Sequence, residues 1–281
     1  MSMRIRRNAF PARLPLLAIG LVMFSFTAQG AAMAPRGLPQ NGNEPSEANF
    51  IEGAREGDVA TVKGYLAAGM NPNTRSRDKE SSTVLMVAAM AGQTEVVKTL
   101  IGAGADVNAT TNKGRTALMW AAWRDHGDTV NTLLSSGAKV NARDKWGSTA
   151  LLLAISKRHT ETAKALLQKG ADANLSGVGG TNALVLAVIT GYDEIIGPLL
   201  AKGANVNSTD RFGRTALMIA VDRENISGVK TLLAHGADVN AQDGSYRTVL
   251  QRAEAAGRTP VVIVLREAGA HATPKDPNTW P

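Results

Sequence analysis

Apolar positions along this chain recur in a fixed frame. Leu85, Leu118, Leu151, Leu184, Leu217 and Leu250 stand 33 residues apart. The same interval separates Gly104, Gly137, Gly170, Gly203, Gly236 and Gly269, and again Asn108, Asn141, Asn174, Asn207 and Asn240. Three registers kept over so many periods define a repeat, and periods of this size belong to stacked solenoids or arrays. Within a period, Thr83, Thr116, Thr149, Thr215 or Thr248 precedes Ala or Val and then Leu. A threonine hydroxyl there caps a helix by accepting a first-turn amide, and the apolar spacing that follows is helical. A Gly, Asp or Arg then breaks that helix. A second helix closes on "TLI", "TLL", "ALL", "PLL" or "TLL", and the Gly of the following "GA" suits the left-handed residue that ends it. An arm such as "DVNA" and a Gly-containing turn such as "DKWGS" complete the unit. The pattern predicts an all-α chain of short helix pairs joined by hairpin-like turns.

A 33-residue unit carrying T-x-L-x-x-A, L-L-x-x-G-A and V-N-A resembles the ankyrin repeat. The resemblance spans 46–271 and implies a solenoid of about seven units: 46–77, 78–110, 111–143, 144–176, 177–209, 210–242 and 243–271. The family's T-P-L-H is here "TVLM", "TALM", "TALL", "NALV", "TALM" and "TVLQ", without its Pro or His. Two extra residues between the first and second units fall in "TRSRDKESS". The apolar slot two residues after the repeating Leu holds Val87, Trp120, Leu153, Leu186 and Ile219, but Glu52 in the first unit and Arg252 in the last. The L-L pair likewise ends in Arg266. Terminal units have one face without a neighbour, so these polar residues are expected to face solvent.

The N-terminus is of another kind. Arg4, Arg6, Arg7 and Arg13 precede the apolar run "LPLLAIGLVMFSFTA", and small residues follow it. That order reads as a secretory signal peptide over 1–30, cleaved after Gly30 or Ala32. The run is shorter than the roughly 20 apolar residues of a membrane span, so no anchor is expected after cleavage. Residues 31–45 read as a polar Pro/Gly spacer, and 272–281 as a disordered tail. The leader implies a periplasmic or secreted protein. It also carries much of the formal +7 charge, since without its four Arg the chain has 27 basic and 24 acidic residues, a net +3. That balance gives little support to a nucleic-acid partner. There is no Cys, so disulfides and thiolate metal sites are excluded.

Candidate chemistry has to be weighed against the repeat frame. In "TALMWAAWRDHG", Trp120 occupies the apolar slot and is expected in the core. His126 and His159 share a register at the start of the second helix and read as structural. Asp125, His126 and Asp128 sit on one turn with no second cluster, so no metal is expected. "SGVGGTN" lacks the Gly-Lys-Ser/Thr ending of a phosphate loop and falls on an inter-repeat turn. No catalytic arrangement can be assembled, and no cofactor is expected.

Trp123 differs, because its slot holds Met90, Ser156, Ile189, Asp222 and Ala255 elsewhere. The ankyrin resemblance places this slot on a concave groove with the turn tips. The groove residues it implies are Lys113, Arg115, Trp123, Arg124, Arg143, Lys145, Trp146, Ser148, Lys157, Arg211, Phe212, Arg214 and Arg223. Nine are basic and three are large aromatics, against Asp222 as the lone acid in the corresponding slots of these units. Trp and Arg dominate interface energies. The resemblance and the basic groove together imply a non-enzymatic, monomeric scaffold that binds a protein with an acidic patch, and the leader implies that it is exported. The alternative is a carbohydrate-binding or hydrolytic envelope protein using the aromatics as a platform.

Overall fold

The computed structural model describes residues 46–271; the leader, spacer and tail expected at 1–30, 31–45 and 272–281 lie outside the described residues. Seven helix pairs follow one another: α1 (Glu47–Glu56) and α2 (Val59–Ala67), α3 (Val84–Met90) and α4 (Thr94–Gly102), α5 (Ala117–Trp123) and α6 (Gly127–Ser135), α7 (Ala150–Ser156) and α8 (Thr160–Gln168), α9 (Ala183–Ile189) and α10 (Ile196–Ala201), α11 (Ala216–Asp222) and α12 (Ile226–Ala234), α13 (Val249–Ala255) and α14 (Thr259–Glu267). Odd-numbered helices pack on odd-numbered ones and even on even, giving two helical layers with the core between them. Among the described residues there is no strand. Isolated antiparallel bridges, such as Thr209 with Thr215 and Gln242 with Thr248, close three of the arms. No helix among them is long and apolar enough to cross a membrane.

Each repeated letter has a bond behind it. The Thr116, Thr149 and Thr215 hydroxyls accept the N–H three residues on, each at 3.3 Å. The "GA" pair closes the second helix by donating backward: Gly137 N–H to Leu134 O and Ala138 N–H to Leu133 O. This geometry needs a left-handed residue, and Gly137 has φ +87°. The asparagines tie neighbouring units. Asn108 donates to Gly137 O and accepts from Lys139 N–H, and Asn141 and Asn174 repeat the pair one and two units on. Backbone groups exposed by the turn thus find partners in a side chain 31 residues away or less.

The helix-breaking slot behaves as expected and does more. Asp125, Arg158 and Glu224 adopt φ of +66°, +61° and +55°, where other units use Gly92, Gly191 and Gly257. A side chain there costs roughly 1–2 kcal/mol, but each reaches the next unit. Asp125 accepts from the Thr162 hydroxyl at 2.8 Å, Arg158 stacks on Tyr192, and Glu224 pairs with Arg258. His126 and His159 are structural: each Nε2 meets a carbonyl of the preceding unit, Met90 O or Trp123 O, at 3.1 Å.

Two sequence expectations change. Trp120 is only half-buried, like Leu153 and Leu186 in the same slot of the next two units, whereas Val87 and Ile219 are buried there. Arg252 does not face solvent, although Glu52 and Arg266 do. Its side chain is 11% exposed and pairs with Asp222 and Asp243. Asn182 caps α9 in the place of the usual Thr. Its Oδ1 accepts Val185 N–H at 2.9 Å and its Nδ2 reaches the Ser208 hydroxyl.

The fifth unit nevertheless departs from its neighbours. Its second helix begins as a 3-10 turn, Asp193–Ile195, and α10 keeps six residues where α8 and α12 have nine. Pro198 is the third residue of α10 and the sixth counting from the start of the 3-10 turn, and it has no N–H to donate to the preceding turn. The turn before α9 is also a short 3-10 segment, Val178–Gly180, with Gly179 at φ +69°. Fewer helical hydrogen bonds predict faster amide exchange across 177–203 than across 111–170. Equal protection of both stretches contradicts this.

Candidate functional site

The densest concentration of unusual side chains lies where α5 and α7 meet the turns that precede them. Trp120 and Trp123 share α5 and form an edge-to-face pair, with centroids 5.9 Å apart. Trp146, 46% exposed, rises from the next turn. That turn is built by Asp144, whose Oδ1 accepts the N–H groups of Trp146 and Ser148. Cations thread between the rings. Arg115 lies 4.9 Å from the Trp120 centroid and 5.5 Å from that of Trp146, with Lys113 also over Trp146. Arg124 and Lys157 stand 4.5 and 5.2 Å from the Trp123 ring. Lys113, Arg115, Trp120, Trp123, Arg124, Trp146 and Lys157 are therefore one continuous array. Cation–π contacts of this kind contribute about 0.5–1 kcal/mol when exposed.

Not all of its charge is free. Lys113 pairs with Glu80 from the preceding unit, and Arg115 Nε lies 3.8 Å from the buried Asp144 Oδ2. The free cations are Arg124 and Lys157, which make no ion pair among the described residues. Within the array a cavity of about 100 Å³ is lined by Arg115, Met119, Trp120, Trp123 and Leu153. Trp120 Nε1 and Arg115 Nε, on two of the lining residues, are buried without a hydrogen-bond partner, as is Asp144 Oδ2 beside Arg115.

The remaining expected residues fall elsewhere. Arg143 donates to Ser176 O, and Lys145 hydrogen-bonds through its backbone to Lys113 O. In the sixth unit Arg211 and Arg214 flank the exposed Phe212, at 4.6 and 5.4 Å from its ring. Arg214 is spoken for by Asp210 and Asp222. Burial pushes the Asp210 carboxyl up, but hydrogen bonds from Arg214 and the Phe212 N–H outweigh it and hold the group below the usual carboxylate range. Asp222 faces Arg252 as well as Arg214, so it closes an internal network. Arg223 is exposed and makes no ion pair among the described residues.

Between the two basic clusters lies a feature the sequence did not announce. Ser148, Leu152, Leu153, Ser156, Gly177, Val178, Thr181, Leu186 and Ile189 line an open, mainly apolar cavity of about 340 Å³. Of these only Ser148 was expected at the site. The signal was present in the unusual "SGVGG" turn, which replaces a turn built on Asp. Among the described residues no group of three His, Asp or Glu is placed to hold a metal.

The helical layers, the capped repeat and the turn geometry define an ankyrin solenoid. The family described as ankyrin repeats (3 copies) matches residues 50–144, 127–210 and 191–276, and the chain belongs to it. Among solved structures, the crystal structure of the human ASB11 ankyrin repeat domain is similar. It is 24% identical, with a TM-score of 0.67, and the match covers 80% of this chain and 99% of that one. A comparison with curated proteins gave no match. Ankyrin repeats are generally non-enzymatic modules that mediate protein–protein interaction.

Proposed function

We propose that this protein is an exported interaction scaffold that binds another protein through the face carrying the Trp120–Trp123–Trp146 array. The observation that carries this reading is the combination of one exposed and two half-buried indoles with unpaired cations on a rigid, repeat-built support. Stacked units hold such residues in place with little entropy left to lose on binding. Arg124 and Lys157 favour a partner with an acidic patch. Cations already cover the faces of Trp123 and Trp146, which favours a protein surface over a sugar ring that would need those faces.

The test is capture from an envelope extract by the full chain, with the Trp123→Ala variant in parallel. A protein retained by the first and lost by the second is expected. Identical capture by both contradicts the reading. Export rests on the leader alone, and N-terminal sequencing is expected to find the chain beginning near Ala31 or Met33 in the envelope fraction. An intact Met1 in the cytoplasmic fraction contradicts export.

A further inference from the structure

The 340 Å³ apolar cavity and the aromatic array are adjoining compartments of one surface, because Leu153 lines both. The apolar cavity is floored by Leu152, Leu153, Leu186 and Ile189 and walled by Val178, which is 67% exposed. Its rims are cationic on both sides. On one, Ser156 of the lining adjoins Lys157, which stands with Arg124 at the Trp123 ring. On the other, the 177–181 turn packs near Arg211, whose Cδ would lie 3.7 Å from a Cβ at Gly179. Arg124, Lys157 and Arg211 make no ion pair among the described residues. An apolar floor between unpaired cations calls for a ligand with the opposite plan: apolar in the middle and acidic at both ends.

We infer that this compartment takes a linear acidic segment of the partner whose aliphatic side chains enter the apolar cavity while flanking carboxylates meet Arg124 and Lys157 on one side and Arg211 on the other. The inference rests on the groove reading above and adds the chemistry of the occupant. Alternate side chains of an extended chain share one face about 7 Å apart. Leucines two positions apart therefore suit a cavity of this size, which lies at the lower end of ligand pockets.

The experiment is fluorescence anisotropy with the full chain and a labelled ten-residue peptide carrying two leucines, two positions apart, among aspartates and glutamates. Saturable binding is expected. It should weaken by about tenfold or more when both leucines become serine, and when the acids become their amides. Ile189→Asp and Val178→Asp should each weaken it by about tenfold, whereas Lys169→Glu, outside both compartments, should leave it within about twofold. Val178 is not part of the core, so its variant keeps the fold, which far-UV circular dichroism checks. Binding that is lost in Trp123→Ala but indifferent to Val178→Asp and Ile189→Asp overturns the pocket and leaves the groove standing. Failure of the peptide to bind, or binding indifferent to its leucines or its acids, overturns the proposed occupant. The groove reading is then decided separately by partner capture.

Discussion

Arg252→Ala is expected to cost about 3 kcal/mol of stability, concentrated in the last two units. The guanidinium donates to Asp243 Oδ2 at 2.6 Å and to both oxygens of Asp222, while Arg214 beside Asp222 and Arg247 beside Asp243 complete the network. Asp243 is 4% exposed on its side chain, so removing Arg252 leaves a buried carboxylate with Arg247, itself 60% exposed, as its remaining ionic partner. Breaking a buried pair from one side costs about 3–5 kcal/mol, and Asp222, one-third exposed, places this case at the lower end. Urea unfolding combined with exchange across 216–267 measures it, and a change below about 0.5 kcal/mol contradicts the account. The same network sets an acid limit. Burial pushes the Asp243 carboxyl up, but the Arg247 and Ser245 N–H groups and Arg252 outweigh it and hold it below its ordinary 3.8. A folded-state value below the unfolded one means the stabilisation is fully present above the unfolded value and is lost as pH falls through the folded value. Units six and seven should therefore loosen first in acid.

Trp123→Ala is expected to weaken partner binding by about 30-fold, which corresponds to about 2 kcal/mol, while leaving the helical spectrum unchanged. The ring is half-buried and lies outside the apolar core cluster, so its contacts are with Trp120, Arg124 and Lys157. Trp120→Ala should show a mixed result. Half-burial limits its stability cost to about 1–2 kcal/mol, and loss of the edge-to-face partner should also impair binding. Charge reversal is best placed at Arg124 and Lys157, whose charge is free, and it should slow association with an effect that weakens in salt. At Lys113 and Arg115 the same change would instead break contacts with Glu80 and Asp144. Isothermal titration with the captured partner separates these cases. Unfolding of Trp123→Ala with silence of Trp120→Ala would reverse the assignment of the two residues.

What was legible in the sequence was what recurs locally. The Thr caps, the "GA" closures and the Asn ties each depend on a few residues at fixed spacing, so the 33-residue period exposes them. Trp120 was misplaced because slot register alone does not say how much cover the next unit offers an indole. The pairing of Lys113 with Glu80 and of Arg252 with Asp222 joins residues 30 or more apart, beyond any local pattern. The apolar cavity arises from the same kind of convergence: Leu152 and Leu153 of α7, Leu186 and Ile189 of α9, and a turn between them that lacks the usual Asp. Each residue looks ordinary in its own repeat. Only stacking places them around one space.

The claim that the odd-helix face binds a protein is tested most directly by amide exchange of the full chain with and without its captured partner. The account predicts new protection over 113–124 and 145–157, with α4, α6 and α8 unchanged. Protection confined to α4, α6 and α8, with 113–124 and 145–157 exchanging as in the free chain, would contradict it.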